Sequence, residues 1–171
     1  MKIFQILLTV VAFMAISQSN TFAEPLEVGA TALEVKATDQ DGKEVDLGKE
    51  LAKGTSLVYF YPKADTPGCT KQACSLRDEF AAVKEAGIKV FGVSADSAED
   101  QKKFLEKYKL PFTLIADKKG DVIKAFGVPT FGSGLASRQS FLIRDGKIIW
   151  RDLSATPTTQ AKDAIAAAKA S

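Results

Sequence analysis

The chain predicts an α/β domain: a central mixed sheet with helices on both faces and a β-hairpin ahead of it. Three observations carry this. Two near-continuous apolar runs, Ser56 to Tyr61 and Ile88 to Val93, read as strands buried on both faces. Stretches with helical spacing of apolar residues follow each of them, so successive strands are joined by crossovers and run parallel. Two turn dipeptides, Asp41-Gly42 and Asp145-Gly146, sit between strand-like stretches and mark hairpins. The 171 residues, 46% apolar and 26% charged, suffice for one domain with its own core.

Taken in order, Leu33 to Thr38 alternates, turns at Asp41-Gly42 and continues over Glu44 to Leu47, an N-terminal hairpin. Ser56 to Tyr61 is the central strand. Leu76, Phe80 and Val83 recur at i, i+4 and i+7, an amphipathic helix that ends near Gly87. Ile88 to Val93 is the second strand. Ser97 with Asp100 three residues on resembles a capping box, and the helix it opens carries Phe104, Leu105 and Tyr108 and stops before Pro111. Phe112 to Ala116 is a third strand and Val122 to Phe126 a short helix. Ser140 to Arg144 and Lys147 to Trp150 form the second hairpin. From Thr158 an alanine-rich helix places Ala161, Ile165 and Ala168 on one face.

The first 23 residues differ from the rest. Lys2 is the only charge before Glu24, an apolar stretch runs from Ile3 to Ile16, and Thr21-Phe22-Ala23 ends the segment. This is the pattern of a cleaved secretory signal, cut after Ala23. It is too short to cross a bilayer comfortably, so no stable membrane insertion is expected once it is removed. The domain would then be residues 24–171, exported, with the periplasm the expected compartment. A net charge of +2 without a basic cluster argues against nucleic acid as a partner.

The two cysteines, Cys69 and Cys74, are the only ones, and the chain has no histidine. The strand ends at Tyr61 and Pro62 breaks it. Thr66 is a good N-cap and Pro67 suits the first helical position. Cys69 then lies in the first helical turn, near unsatisfied N–H groups and the positive end of the helix dipole, a setting that favours a thiolate. Cys74 lies five residues on. Along an unbroken helix that places the Cα atoms about 8.6 Å apart, beyond the roughly 7 Å a disulfide tolerates. A bond between them needs the helix to open. A structural staple here is worth only about 2 kcal/mol by the chain-entropy argument, and the lost helical turn offsets much of it. Two thiolates without histidine make a poor metal clip, and the spacing is not that of a C-x-x-C exchange motif. A reactive thiol with a partner and an exported domain with a structural disulfide both stay open on these grounds.

The residues Pro62-x-x-x-Thr66-x-x-Cys69 match the active-site signature of peroxiredoxins. The stretch FYPKADTPGCTKQACSLRDEF, 60–80, resembles the Q-type or bacterioferritin-comigratory-protein group, as do VFGVSADS (90–97), KLPFTLIAD (109–117), FGV (126–128) and RQSFLIRDGKI (138–148). The resemblance implies a thioredoxin-like fold and a thiol peroxidase for hydrogen peroxide and organic hydroperoxides. It implies no metal, flavin or haem. Cys69 would be the peroxidatic cysteine, and Cys74 would resolve its sulfenic acid into an intramolecular disulfide. A thioredoxin-like protein would reduce that disulfide. Thr66, whose hydroxyl also suits N-capping, would bond the peroxide or the thiolate. Pro62 would shield the sulfur. Arg138 would favour the thiolate and polarise the O–O bond. The amides of Gly68 and Cys69 would cradle the distal oxygen. Arg77, on a helix of alternating charge, reads as structural or solvated. Members of this group are often monomers, and no unexplained apolar stripe argues otherwise. A thiol–disulfide exchange protein of the same fold is the alternative enzyme-like reading. Ser140, where many members carry threonine, and the missing histidine are the departures.

Overall fold

The computed structural model describes residues 24–31 and 34–170. The proposed signal, 1–23, and Leu33 at the start of the first predicted strand lie outside the described residues. The N-terminal hairpin is β1 (Lys36–Thr38) paired antiparallel with β2 (Glu44–Asp46). Its turn is closed by the Asp39 carboxylate, which accepts from Asp41 N and Lys43 N. Leu47, read as the end of a strand, instead opens a five-residue helix, α1 (Leu47–Leu51), because Asp46 caps it by accepting from Lys49 N.

The remaining elements are β3 (Thr55–Phe60), α2 (Pro67–Asp78), α3 (Phe80–Glu85), β4 (Ile88–Ser94), α4 (Ala98–Tyr108), β5 (Thr113–Ala116), α5 (Asp121–Ala125), β6 (Thr130–Phe131), β7 (Leu135–Ala136), β8 (Gln139–Arg144), β9 (Lys147–Asp152) and α6 (Gln160–Ala170). The five-stranded sheet runs β5-β4-β3-β8-β9. Strands β3, β4 and β5 are parallel, and β8 and β9 are antiparallel, so the sheet is mixed as the sequence predicts. This is the thioredoxin-like arrangement. The single helix expected through Leu76, Phe80 and Val83 is two, α2 and α3, interrupted at Glu79. Gly87, with φ +71°, ends the second. Ser97 caps the helix as expected, accepting from Asp100 N, but the Asp100 carboxylate takes the Ser97 hydroxyl proton, a side-chain bond in place of the reciprocal bond of a full capping box.

Why β3 is apolar from Leu57 onward follows from the two cores it separates. Side chains alternate across a strand. Leu57, Tyr59 and Tyr61 enter one core with α2, α3, α4 and α6, whereas Val58 and Phe60 enter the other with α1 and α5. Gly92 of β4 pairs with Tyr59. A Cβ there would lie 2.6 Å from the Tyr59 hydroxyl, so only glycine lets that ring lie across the sheet. No helix among the described residues is long and apolar enough to cross a membrane.

Candidate active site

The site forms beyond the C-terminal end of β3. The chain leaves the sheet at Tyr61, whose N–H still bonds Val93 O, and Pro62, half-buried, ends the strand register. The loop that follows is tied down at three points. Ala64 N donates to the Asp96 carboxylate at 2.7 Å. Asp65 takes up a left-handed backbone, φ +57°, uncommon for a residue with a side chain. Its carboxylate holds Lys107 Nζ at 2.7 Å and the Tyr108 hydroxyl at 2.7 Å, and the lysine, then the tyrosine, keeps Asp65 below the ordinary carboxylate pKa. Thr66 Oγ1 donates to Lys63 O at 2.9 Å.

Thr66 stands at the N-cap of α2 with extended backbone, and Thr70 N donates to its carbonyl. Its hydroxyl, however, makes no capping bond. The expected hydroxyl cap is therefore corrected: the oxygen has turned back to Lys63 O. The Gly68 and Cys69 amides, in the first turn, have no carbonyl one turn earlier within the helix and face the head of α2.

Cys69 is 2% exposed and free, and packs in the core face that holds Tyr59, Tyr61 and Ala73. Arg138, just ahead of β8, reaches it from across the sheet: Nη2 donates to Cys69 Sγ at 3.4 Å. Gly68 makes room for this, since a Cβ there would meet Arg138 Nη2 at 3.3 Å. Cys74 is half-buried and free on the same unbroken α2, so the helical separation estimated from the sequence holds in this state. Arg77 does not join the site. It bonds Tyr108 O at 2.8 Å and the Asp78 carboxylate, a structural role as read.

The sequence reading missed a buried polar chain behind the arginine. Arg138 Nη1 donates to Gln72 Oε1, Gln72 Nε2 donates to Gln160 Oε1 at 2.5 Å, and Gln160 Nε2 donates to Ser140 Oγ at 2.7 Å. Its members come from α2, α6 and β8. The signal in the sequence was only that Gln72 falls one turn after Cys69, on the face of α2 that carries Ala73 and Leu76. The Tyr59 hydroxyl is buried and has no hydrogen-bond partner among the described residues, and burial holds the phenol well above its ordinary pKa, so it stays neutral in the core that holds Cys69. Among the described residues no three His, Cys, Asp or Glu side chains group as a metal site.

A buried cysteine at the head of the helix that follows the central strand, with an arginine donating to its sulfur, puts the protein in the class of thioredoxin-like proteins built for thiol redox chemistry. The chain belongs to the AhpC/TSA family, whose pattern matches residues 28–151. Within it the chain is of the two-cysteine peroxiredoxin Q type, a class of thiol peroxidases. It is 41% identical over 134 residues to the chloroplastic peroxiredoxin Q of Sedum lineare, covering 77% of this chain and 71% of that one. To the chloroplastic peroxiredoxin Q of Oryza sativa subsp. japonica it is 44% identical over 123 residues, 71% of this chain and 56% of the rice protein. The chain thus spans little more than half the length of the rice relative. Among solved structures, peroxidoxin BcpB of Mycobacterium tuberculosis superposes with a TM-score of 0.79 at 32% identity, covering 85% of this chain and 97% of that one. The bacterioferritin comigratory protein of Xanthomonas campestris, described for alkyl peroxide reduction, gives 0.75 at 25% identity, covering 85% of this chain and 96% of that one.

Proposed function

We propose that this chain reduces hydrogen peroxide and organic hydroperoxides through a Cys69 sulfenic acid and a Cys69–Cys74 disulfide. The observation that carries the reading is the Arg138 Nη2 contact to Cys69 Sγ at the head of α2. A guanidinium is permanently charged, so it stabilises negative charge on the sulfur and on the oxygen the sulfur displaces.

The Cys69 thiolate attacks the distal oxygen of the hydroperoxide. The S–O bond forms, the O–O bond breaks, and the leaving alkoxide or hydroxide takes a proton, giving an alcohol or water. The Gly68 and Cys69 amides donate to the peroxide oxygens. Thr66 already spends its hydroxyl proton on Lys63 O, so it offers lone pairs and accepts from the terminal O–H of the peroxide. Pro62 closes the loop over the sulfur. A cleft of about 460 Å³ lined by Ala95, Ile123, Val128 and Pro129 is the room we assign to a larger organic group, and its walls are tied to the site through neighbouring residues. Ala95 adjoins Asp96, which holds the Ala64 amide. Pro129 O accepts from Ser137 N, the residue before Arg138.

Cys74 then attacks the sulfenic sulfur and water leaves, which closes the disulfide once α2 opens. A thioredoxin-like dithiol restores both thiols by exchange. The domain works as a monomer over residues 24–171, after removal of the first 23, in the periplasm. The plant relatives carry chloroplastic names, so in this chain the compartment rests on the apolar signal pattern alone. An exported enzyme also needs its reductant on that side of the membrane.

Stopped-flow mixing of reduced protein with one equivalent of hydrogen peroxide, followed by mass analysis, tests the cycle. Fast peroxide loss with a mass decrease of two hydrogen atoms is expected. Cys69→Ser abolishes it, and Cys74→Ser halts at the sulfenic acid. Consumption no faster than that of a free thiol overturns the reading in favour of an exchange protein or a structural disulfide.

A further inference from the structure

The four-member polar chain behind Cys69 has a fixed direction. A guanidinium only donates. Gln72 must therefore present its amide oxygen to Arg138 and its amide nitrogen to Gln160. Gln160 must in turn present oxygen to Gln72 and nitrogen to Ser140. Gln72, Gln160 and Ser140 are 0%, 1% and 0% exposed, so water does not replace a lost partner. One amide turned around would leave two donors facing each other, so each link holds the next in orientation.

The chain also crosses the segment that has to move. Gln72 lies on α2 between Cys69 and Cys74, and Gln160 is the first residue of α6. A second bond joins α2 to the residues just ahead of α6: Ser75 Oγ donates to Thr158 O at 3.3 Å. Ala73 and Leu76 of α2 share a core with Ala161 and Ala164 of α6. Opening α2 to bring the cysteines together breaks the Gln72–Gln160 bond.

We propose that Gln160, on the C-terminal helix, is a positioning residue for the peroxidase reaction, holding through Gln72 both the Arg138 guanidinium at the Cys69 sulfur and the α2 turn that opens for disulfide closure. The proposal rests on the peroxidase cycle above. It makes the two steps respond to Gln160 in opposite directions. A tight chain favours attack on the peroxide and delays resolution, so it lengthens the life of the sulfenic acid.

The test resolves the two phases by stopped flow in the full chain, with hydrogen peroxide as the probe, for wild type, Gln160→Leu, Gln72→Leu and the double variant. In Gln160→Leu, sulfenic acid formation slows by about threefold to tenfold, the worth of one neutral hydrogen bond. Disulfide closure accelerates by a similar factor, and less sulfinic acid accumulates at high peroxide. Because the two glutamines act through one bond, the double variant slows the first step no more than Gln72→Leu alone. Ile148→Val, in the other core, destabilises the fold without moving the two rates apart. Unchanged rates in Gln160→Leu, or slowing that adds in full in the double variant, overturn the proposal. Should Gln160→Leu fail to fold, Ser140→Ala removes the far anchor of the same amide and is expected to shift both phases in the same directions, and unshifted phases overturn the proposal equally. A wild type that does not consume peroxide quickly defeats the peroxidase reading instead, a result separate from either of these.

Discussion

Gly68 is set by Arg138. The chain needs no positive φ there, and what crowds a side chain is the guanidinium, 3.3 Å from where a Cβ would sit. In Gly68→Ala the helix gains, because alanine is the better helix former by up to about 1 kcal/mol. The arginine, the end of a flexible chain, gives way and its contact to Cys69 Sγ lengthens. The expected outcome is a melting temperature held or raised while the second-order rate with hydrogen peroxide falls by roughly tenfold. A melt and a stopped-flow series read both, and an unchanged rate would show that the arginine does not need its place. At this scale the motif resemblance around Cys69 and Arg138 marked the two residues that the structure brings into contact, although residue type alone would have left Arg138 a solvated arginine on a strand end. The sequence could not carry the partners of those residues. Gln72 and Gln160 are 88 positions apart, and although Gln72 falls on the buried face of α2, nothing in the sequence pairs it with Gln160. Thr66 was legible as a cap position, but the direction of its hydroxyl depends on the Lys63 carbonyl, which only the folded loop supplies.

Single elements were legible where a long period or a defined cap wrote them. The strands β3, β4 and β8 and the helix α4 lie within a residue or two of their expected bounds. Short elements were not. α1 has five residues, and β6 and β7 two each, too few for a period to register. The break between α2 and α3 at Glu79 leaves the apolar spacing of Leu76 and Val83 intact, so the pattern did not show it. One element carries a titration. Asp117, 5% exposed, accepts from Ile123 N at the start of α5, and burial raises its pKa above the ordinary carboxylate value. The native state therefore keeps this proton at pH values where the unfolded chain, near 3.9, has lost it. Stability falls as pH rises from the unfolded value through the raised native one, and is level above it. Asp117→Asn retains an acceptor for Ile123 N and removes the titration. The difference in melting temperature between variant and wild type is expected to grow across that window in favour of the variant and then stay constant. A difference that is flat from pH 3 to 7 would mean that burial does not raise the Asp117 pKa in the folded state.

At the scale of the whole molecule the fold poses a conflict that the reaction has to resolve. The same α2 that buries Cys69 against the sheet and lines it up with Arg138 holds Cys74 out of bonding reach, and α6 fastens that arrangement from outside. Oxidation must therefore unwind the start of α2 and draw Cys69 out of the core that contains Tyr59, Tyr61 and Leu76, without disturbing the other face of the sheet. Hydrogen exchange on the reduced and disulfide forms separates these regions. Amides from Thr70 to Ala73 are expected to lose protection on oxidation, those of β3, β4 and β8 to keep it, and those at the start of α6 to loosen because Gln160 has lost Gln72. The urea m-value is expected to fall as well, since the oxidised state already exposes part of the surface that unfolding exposes. If the amides of α2 stay protected in the oxidised protein, the two sulfurs have not met within one chain. Resolution then passes through a thiol of another molecule, and a mixed disulfide detectable on a non-reducing gel would take the place of the internal one.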